Sequence, residues 1–226
     1  MIIGDGFIAR SFKIYDNKYD IIYASGVPNI FGYSEDGCKR EKKKLRSIIL
    51  NNRSLRLVYF SSCGIYDKNN LNNYFYHKLK MEKFIKDISD NYIIFRLPIV
   101  VGKGSNNNSL CQYLFNCIVK GKSFDLWNDA YRYLIDIDDV FEIIKFVLDN
   151  NYFNNEIVNI SSSKKIKVLD IVSMLESFLN KKSNYRLCNK VSCYDINIDK
   201  LKRVVTESVI YKKRYAECVL EKYYKS

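Results

Sequence analysis

Tyr74 and Lys78 stand four residues apart in Tyr74-Phe75-Tyr76-His77-Lys78, a spacing that puts two side chains on one face of a helix. An ammonium beside a phenol favours the phenolate, which lets a tyrosine take or give a proton nearer neutral pH. A serine hydroxyl nearby can hold the reacting oxygen, and Ser61-Ser62 closes an apolar run a little upstream. Tyr76 and Lys80 form a second pair at the same spacing, and with 19 tyrosines such pairs also arise by chance. Spacing alone leaves the two pairs open.

Gly4-Asp5-Gly6-Phe7-Ile8-Ala9 is a GxGxxA pattern between a short apolar segment and a helical one. Gly4 permits a tight turn, and Gly6 lets a pyrophosphate approach the backbone. The small Ala9 lets helix and strand pack closely, while Asp5, Phe7 and Ile8 sit in the turn where the helix N-terminus faces the anion. A dinucleotide site is the expectation. Such a site normally has an acidic residue about 20 positions onward, closing the second strand on the adenosine ribose. Here Gly26 stands there, and Asp20 precedes its strand instead of ending it. The ribose contact is therefore unassigned. A single histidine, His77, and the absence of any CxxC pair exclude a His-rich or zinc cluster, and no metal is expected.

These residues need strands and helices to hold them, and the apolar segments alternate accordingly. Met1–Ile3, Ile21–Ala24, Leu57–Phe60 and Tyr92–Phe95 read as strands. Phe7–Phe12, residues from about Glu35 to Leu50, and Tyr76 to about Ile88 read as helices. The fold class predicted is α/β, with a parallel sheet, helices on both faces and ligands above the carboxyl ends of the strands. After Gly104 the pattern loosens, with helices near Leu110–Val119, Ile137–Leu148 and Val168–Leu179 and strands near Phe124–Trp127 and Ile157–Ile160. Residues 1–104 are read as the Rossmann-type dinucleotide-binding core, and 105–226 as a smaller substrate-binding lobe interleaved with it.

The chain has 226 residues, 47% apolar and 27% charged, a globular composition with no apolar run near the length of a membrane span. Met1-Ile2-Ile3-Gly4 lacks the basic start of a secretory signal, and seven cysteines without a CxxC pair point to a reduced, cytoplasmic protein. A net charge of +12 attracts phosphates. Its one dense run, Lys39-Arg40-Glu41-Lys42-Lys43-Lys44, leads into Leu45, Ile48 and Ile49 and reads as the wet face of an amphipathic helix. No recognisable RNA-binding motif accompanies it, so neither nucleic acid nor a membrane is an expected partner.

In this order along the chain, several segments resemble the extended short-chain dehydrogenase/reductase family, of the NAD-dependent epimerase/dehydratase type that acts on nucleotide sugars. Val58-Tyr59-Phe60-Ser61-Ser62-Cys63-Gly64-Ile65-Tyr66 is similar to its "SSxxVY" strand end, and Tyr74 to Glu82 to its "YxxSKxxxE" helix. Phe95 to Gly104 resembles "RLPNVYGPG", Arg132 to Val140 "RDFVHVDDV", and Glu156 to Ile160 "EVYNV". The resemblance settles the register on Tyr74 and Lys78, because Glu82 follows Lys78 as a glutamate follows the family's lysine. It implies Tyr74 as proton donor or acceptor at the sugar oxygen, Lys78 lowering its pKa and holding the nicotinamide ribose, and Ser62 bonding the reacting oxygen. It also implies that Ala24, Ser25, Gly26 and Ser61 line the cofactor and that Pro98 and Ile99 flank the nicotinamide. The cofactor implied is NAD or NADP, with NAD favoured.

The departures are informative. Matching Ile21–Gly26 to the family's fourth strand means that the second and third are absent, which leaves the first strand at the sheet edge or open to pairing in a homodimer. Ile99 replaces the family's asparagine. Cys63 and Gly64 stand where sugar dehydratases carry an Asp-Glu pair, so dehydration is the least expected chemistry. Cys63 is read either as a second acid or as a buried small hydrophobe, and His77 as a positioning or surface residue. Arg132 is read either as a clamp on a substrate diphosphate or as part of a structural ion pair. Phe124 and Trp127 are read as core. The expected protein is a shortened Rossmann-type enzyme, an NAD(P)-dependent epimerase or reductase of a nucleotide-activated sugar, serving surface polysaccharides. The alternative is a non-catalytic dinucleotide sensor or scaffold of the same fold.

Overall fold

The computed structural model describes residues 1–15, 17–27, 32–205 and 214–225. In chain order its elements begin with β1 (Ile2–Ile3), α1 (Phe7–Ser11), β2 (Asp20–Tyr23), α2 (Glu35–Asn51) and β3 (Arg56–Ser62). Next come α3 (Asn73–Ile88), β4 (Tyr92–Leu97), β5 (Ile99–Val101), α4 (Leu110–Val119), β6 (Phe124–Arg132) and β7 (Leu134–Asp136). Then follow α5 (Ile137–Asp149), β8 (Glu156–Asn159), β9 (Ile166–Lys167), α6 (Val168–Leu179) and β10 (Tyr185–Ser192), with a last helix over Tyr215–Tyr224. No helix among the described residues is long and apolar enough to cross a membrane.

The main sheet has five strands in the order β1-β2-β3-β4-β8, and every pairing in it is parallel. Alternation along each strand divides the interior in two, as period-2 side-chain direction requires. Ile21, Tyr23, Leu57, Tyr59, Tyr92 and Ile94 face Leu45 and Ile49 of α2 and Met81 and Ile85 of α3. Ile22, Val58, Phe60, Ile93, Phe95 and Val158 face the larger core under α4, α5 and α6. Phe12 and Tyr15, which follow α1, belong to this second face, where the Phe12 ring meets Phe60 and Phe141. The strand β8 comes from the second half of the chain and completes the first sheet. A three-stranded sheet β10-β6-β9 and the pair β5-β7 build the rest of that half.

Among the described residues β1 pairs only with β2 and forms the edge, as the resemblance implied. The steps β1→β2, β2→β3 and β3→β4 all move the same way across the sheet. Yet α1 lies on one face while α2 and α3 lie on the other. The β1–α1–β2 crossover therefore has the opposite hand to the two that follow, although parallel crossovers are overwhelmingly of one hand. In the full dinucleotide-binding order the strand after β1 lies on its other side. Removing that strand and the next, with α1 kept on its own face, produces the reversal.

Several expected boundaries move for local reasons. The helix expected from Tyr76 begins at Asn73, because the Asn72 side chain accepts hydrogen bonds from Tyr74 N at 3.1 Å and Phe75 N at 3.3 Å. That cap places Tyr74 within the first turn. The Ser34 side chain caps α2 in the same way, with Glu35 and Asp36 in its first turn. The strand expected over Phe124–Trp127 runs on to Arg132, and the highly exposed β10 was not expected at all.

A buried pair ties β2 to β3. Arg56 Nε lies 2.7 Å from Asp20 Oδ1, and both side chains are almost wholly enclosed. Tyr15 OH also donates to Asp20, and Arg56 Nη2 donates to Leu148 O. Removing one partner of such a pair strands the other charge. Arg56→Met is expected to destabilise the protein by roughly 3–5 kcal/mol, read as a lower urea midpoint at unchanged slope. A wild-type midpoint would show that the pair is dispensable.

Candidate active site

The carboxyl ends of β1 to β4 open onto a cleft of about 480 Å³. Asp5, Gly6, Phe7 and Ile8 line it where the chain leaves β1, and Ala24, Ser25 and Gly26 where it leaves β2. Ser61 and Ser62 enter from β3, Tyr74 and Lys78 from α3, and Pro98 and Val100 from the segment after β4. Gly4, Ile99 and Arg132 are not among the lining residues. Gly4 sits one step behind at φ +123°, where an added Cβ would fall 2.4 Å from Ala24 O. Ile99 is spent on the β5–β7 pairing, its N–H on Tyr133 O, and the neighbouring Val100 faces the cleft instead. Arg132 Nη1 donates to Tyr131 O and to Ser192, and Ser192 Oγ donates to Asp67. Its Nη1 bonds thus join β6 to β10, and no carboxylate lies within ion-pair distance of it among the described residues.

Tyr74 is half-buried at the cleft, and its phenol is pushed up by burial and by the charge of Glu41. The Lys78 ammonium lies 5.8 Å from the centre of the Tyr74 ring. Phe75 packs edge-on against Tyr74, and Gly64 makes room for it, since a Cβ at Gly64 would fall 2.3 Å from the Phe75 ring. The Ser62 hydroxyl accepts the N–H of Gly64 at 3.1 Å, which fixes its oxygen at the mouth of β3. Ser61 Oγ donates to Glu82 at 2.5 Å, and Arg96 grips the same carboxylate with Nε and Nη2. Tyr76 and Lys80 face a different hollow, on the outer side of α3.

Glu41 is the residue that sequence reasoning missed. Placed within the basic run of α2, it is 3% exposed, whereas Lys39, Arg40, Lys42, Lys43 and Lys44 are in solvent. Its carboxylate accepts from Val27 N at 2.8 Å and Tyr59 OH at 2.7 Å, and lies 2.8 Å from His77 Nε2. Lys78 Nζ stands 3.7 Å from Glu41 Oε1 and donates to Tyr59 OH at 3.1 Å. Burial alone would raise the Glu41 pKa, but Lys78 and the hydrogen bonds from His77, Val27 and Tyr59 outweigh it and hold it at about 2. Desolvation lowers the Lys78 pKa, partly offset by Glu41 and Glu82. The result is a carboxylate that stays ionised beside an ammonium that gives up its proton more readily. His77 is thus buried on a carboxylate. Cys63 is buried with its thiol on Arg96 O, pushed up by desolvation, and takes no place in the cleft lining.

The lining suits one half of a dinucleotide. A Cβ at Gly6 would meet nothing within 4 Å, so the turn presents bare backbone to open space. Tyr23 lines the cleft, and its hydroxyl is buried without a hydrogen-bond partner. These residues and the Ser62–Tyr74–Lys78 group fit a pyrophosphate and a nicotinamide riboside. Nothing corresponds to an acidic strand end for the adenosine ribose, because among the described residues the sheet stops at β1. The α1 helix has only five residues and a correspondingly small dipole, so the expected N-terminal field is weak.

A sequence model of the NAD dependent epimerase/dehydratase family matches residues 43–161. Among solved structures, UDP-glucuronic acid 4-epimerase from Bacillus cereus, in complex with UDP-glucuronic acid and NAD, is similar at a TM-score of 0.70 and 17% identity, over 91% of this chain and 74% of that one. MoeE5 in complex with UDP-glucuronic acid and NAD gives 0.69 at 14% identity, over 89% and 77%. The dTDP-glucose 4,6-dehydratase of Bacillus anthracis str. Ames, in complex with NAD, gives 0.64 at 17% identity, over 90% and 72%. At these identities the likeness is one of fold. No curated protein sequence matches the chain.

The depressed Glu41 pKa fixes a pH dependence. A carboxylate with a folded value of about 2 against an ordinary 4.5 contributes stability that is fully present above pH 4.5 and is lost as pH falls towards 2. Glu41→Gln, compared with the parent by urea titration, should flatten the stability–pH curve in that window by on the order of 3 kcal/mol. Parallel curves for the two proteins would mean that Glu41 is not ionised in the fold.

Proposed function

The chain belongs to the NAD dependent epimerase/dehydratase family, and on that premise we propose that it oxidises and reduces a hydroxyl-bearing carbon of a nucleotide-activated sugar with NAD, as an epimerase or a reductase. The observation carrying this reading is the meeting of the glycine turn, Ser62, Tyr74 and Lys78 around one cleft. Asp5 to Ile8 would hold the pyrophosphate, and Ala24 to Gly26, Ser61, Lys78, Pro98 and Val100 the riboside half. When bound, the nicotinamide supplies or accepts hydride at the sugar carbon. Tyr74 would exchange the proton of the sugar oxygen, Ser62 would hold that oxygen, and Lys78 would stabilise the phenolate. Dehydration is disfavoured: Gly64 offers no acid, and the Cys63 thiol is turned onto a backbone carbonyl.

A second reading, a dinucleotide sensor without turnover, is favoured by one observation. The Lys78 ammonium is already engaged by Tyr59 and Glu41. Native mass spectrometry of the freshly purified protein, alone and with added NAD or NADP, separates the possibilities. Retained dinucleotide supports an epimerase that recycles a tightly held cofactor, and binding only on addition supports a reductase or a sensor. Binding of neither would remove both readings. With UDP-glucose, UDP-glucuronic acid and dTDP-glucose as probes, Tyr74→Phe should cost about 10²- to 10⁴-fold in turnover while NAD binding stays near the parent value. Full activity in that variant would remove Tyr74 as the acid–base group, since Tyr76 faces the outer hollow and not this cleft.

A further inference from the structure

Among the described residues that line the cleft, Asp5 is the one acid and Lys78 the one cation. Lys78 is committed, its Nζ donating to Tyr59 OH at 3.1 Å and standing 3.7 Å from Glu41 Oε1. Asp5 is not. It sits exposed in the turn between β1 and α1, and no hydrogen bond or ion pair among the described residues engages it. The next cation along the chain, Arg10, donates from Nη2 to Gly104 O instead. A carboxylate so placed is a poor neighbour for phosphate, because like charges repel strongly at contact range. It is a good neighbour for hydroxyl groups, since its two oxygens accept from two donors on adjacent carbons. Within the turn proposed to hold the pyrophosphate, the backbone at Gly6 suits phosphate and the Asp5 side chain suits sugar.

We infer that Asp5 binds the vicinal hydroxyls of the adenosine ribose and thereby makes the cleft selective for NAD over NADP. This rests on the reading of the cleft as a dinucleotide site. The strand order puts Asp5 at the right end for that task. A dinucleotide whose nicotinamide riboside lies against Ser62, Tyr74 and Lys78 runs from the ends of β3 and β4 across β2 to β1. The turn after β1 is the last protein it meets, since among the described residues the sheet stops there. Along the cofactor the pyrophosphate comes before the adenosine ribose, so the acid at the edge is within the ribose's part of the path. In a full dinucleotide-binding sheet, an acid closing the neighbouring strand takes these hydroxyls. Here that strand is missing, and the one acid of the lining stands in the glycine turn itself. A 2′-phosphate removes one of the two donors and adds charge of the same sign as Asp5. With Lys78 already held by Glu41 and Tyr59, no cation of the lining is left to offset it.

Calorimetric titration with NAD, NADP, ADP-ribose and ADP-ribose 2′-phosphate tests this without turnover. The parent protein should bind NAD and ADP-ribose about 10- to 100-fold more tightly than their 2′-phosphates, the worth of a hydrogen bond to a charged group. Asp5→Ala should weaken NAD and ADP-ribose about tenfold or more and bring both ratios close to one. Asp5→Asn keeps the shape of the turn residue without its charge and should narrow the ratios in the same direction. Reduced nicotinamide mononucleotide, which has no adenosine ribose, should bind the parent and Asp5→Ala alike. Equal affinity of the parent for NAD and NADP would overturn the assignment and leave the dinucleotide reading in place. So would ratios that neither substitution changes, or a loss of the mononucleotide in Asp5→Ala as large as the loss of NAD. Tighter binding of NADP that Lys44→Gln abolishes would overturn it as well, moving the 2′-phosphate to the hollow that Arg40 and Lys44 border beside Ser25. Binding of none of these ligands by the parent would defeat the cofactor reading itself, and this assignment with it.

Discussion

An ionised carboxylate taken out of water is among the most expensive groups a fold can enclose, and Glu41 is enclosed almost completely. It is tolerable only if its oxygens are met on every side. That requirement fixes the distance between α2 and α3, the depth of Tyr59 on β3 and the path of the chain after β2, since Val27 N–H, Tyr59, His77 and Lys78 must all converge on it. Gly26 shows how tight the convergence is. A Cβ there would lie 2.6 Å from Glu41 Oε1 and 3.0 Å from Lys78 Nζ. The lysine at the floor of the cleft is thus held by a constraint that originates on the neighbouring helix α2.

The second constraint is topological. With β1 at the edge, the glycine turn lies at the boundary of the sheet, and the β1–α1–β2 crossover is reversed in hand to let the short α1 stay on its face. The surviving lining lies on the side of β2, β3 and β4, where Ser62, Tyr74 and Lys78 stand. On the proposed function, the lining that remains is the part that would meet the nicotinamide riboside. The Asp20–Arg56 pair compensates at the other end of the strands, anchoring β2 to β3 where no outer strands buttress β1.

The parallel sheet, its edge strand and the cleft-lining Ser62, Tyr74 and Lys78 were legible because they rest on period-2 apolar runs and on short, ordered motifs. Boundaries failed where a side chain overrode the pattern: Asn72 captures two backbone N–H groups and starts α3 before the apolar repeat does. β10 was illegible because most of its residues are exposed and its sequence carries no alternation. Arg132 and Ile99 were placed by resemblance; Ile99 pairs β5 with β7, and Arg132 Nη1 ties β6 to β10. Glu41 was legible in principle. It stands four residues before Leu45 and eight before Ile49, on the same helical stripe that the core buries. As the lone acid in a run of cations it looked like part of the solvated face, and the stripe outranks the run.

The same stripe resolves the question raised by the charge. A helix that turns Glu41, Leu45 and Ile49 inward must turn the intervening lysines outward, so the basic run needs no partner to explain it. Its position still has a consequence. Lys44 Nζ reaches Ser25 Oγ at 3.0 Å, and Arg40 and Lys44 border a hollow that shares Tyr23, Ser25, Gly26 and Val27 with the cleft. Cations at the rim of a cleft raise the local concentration of anionic ligands without selecting among them. Dinucleotides and nucleotide sugars are both polyanions. On the proposed function, the exposed side of α2 would favour their approach, while its buried side carries the Glu41 that holds Lys78.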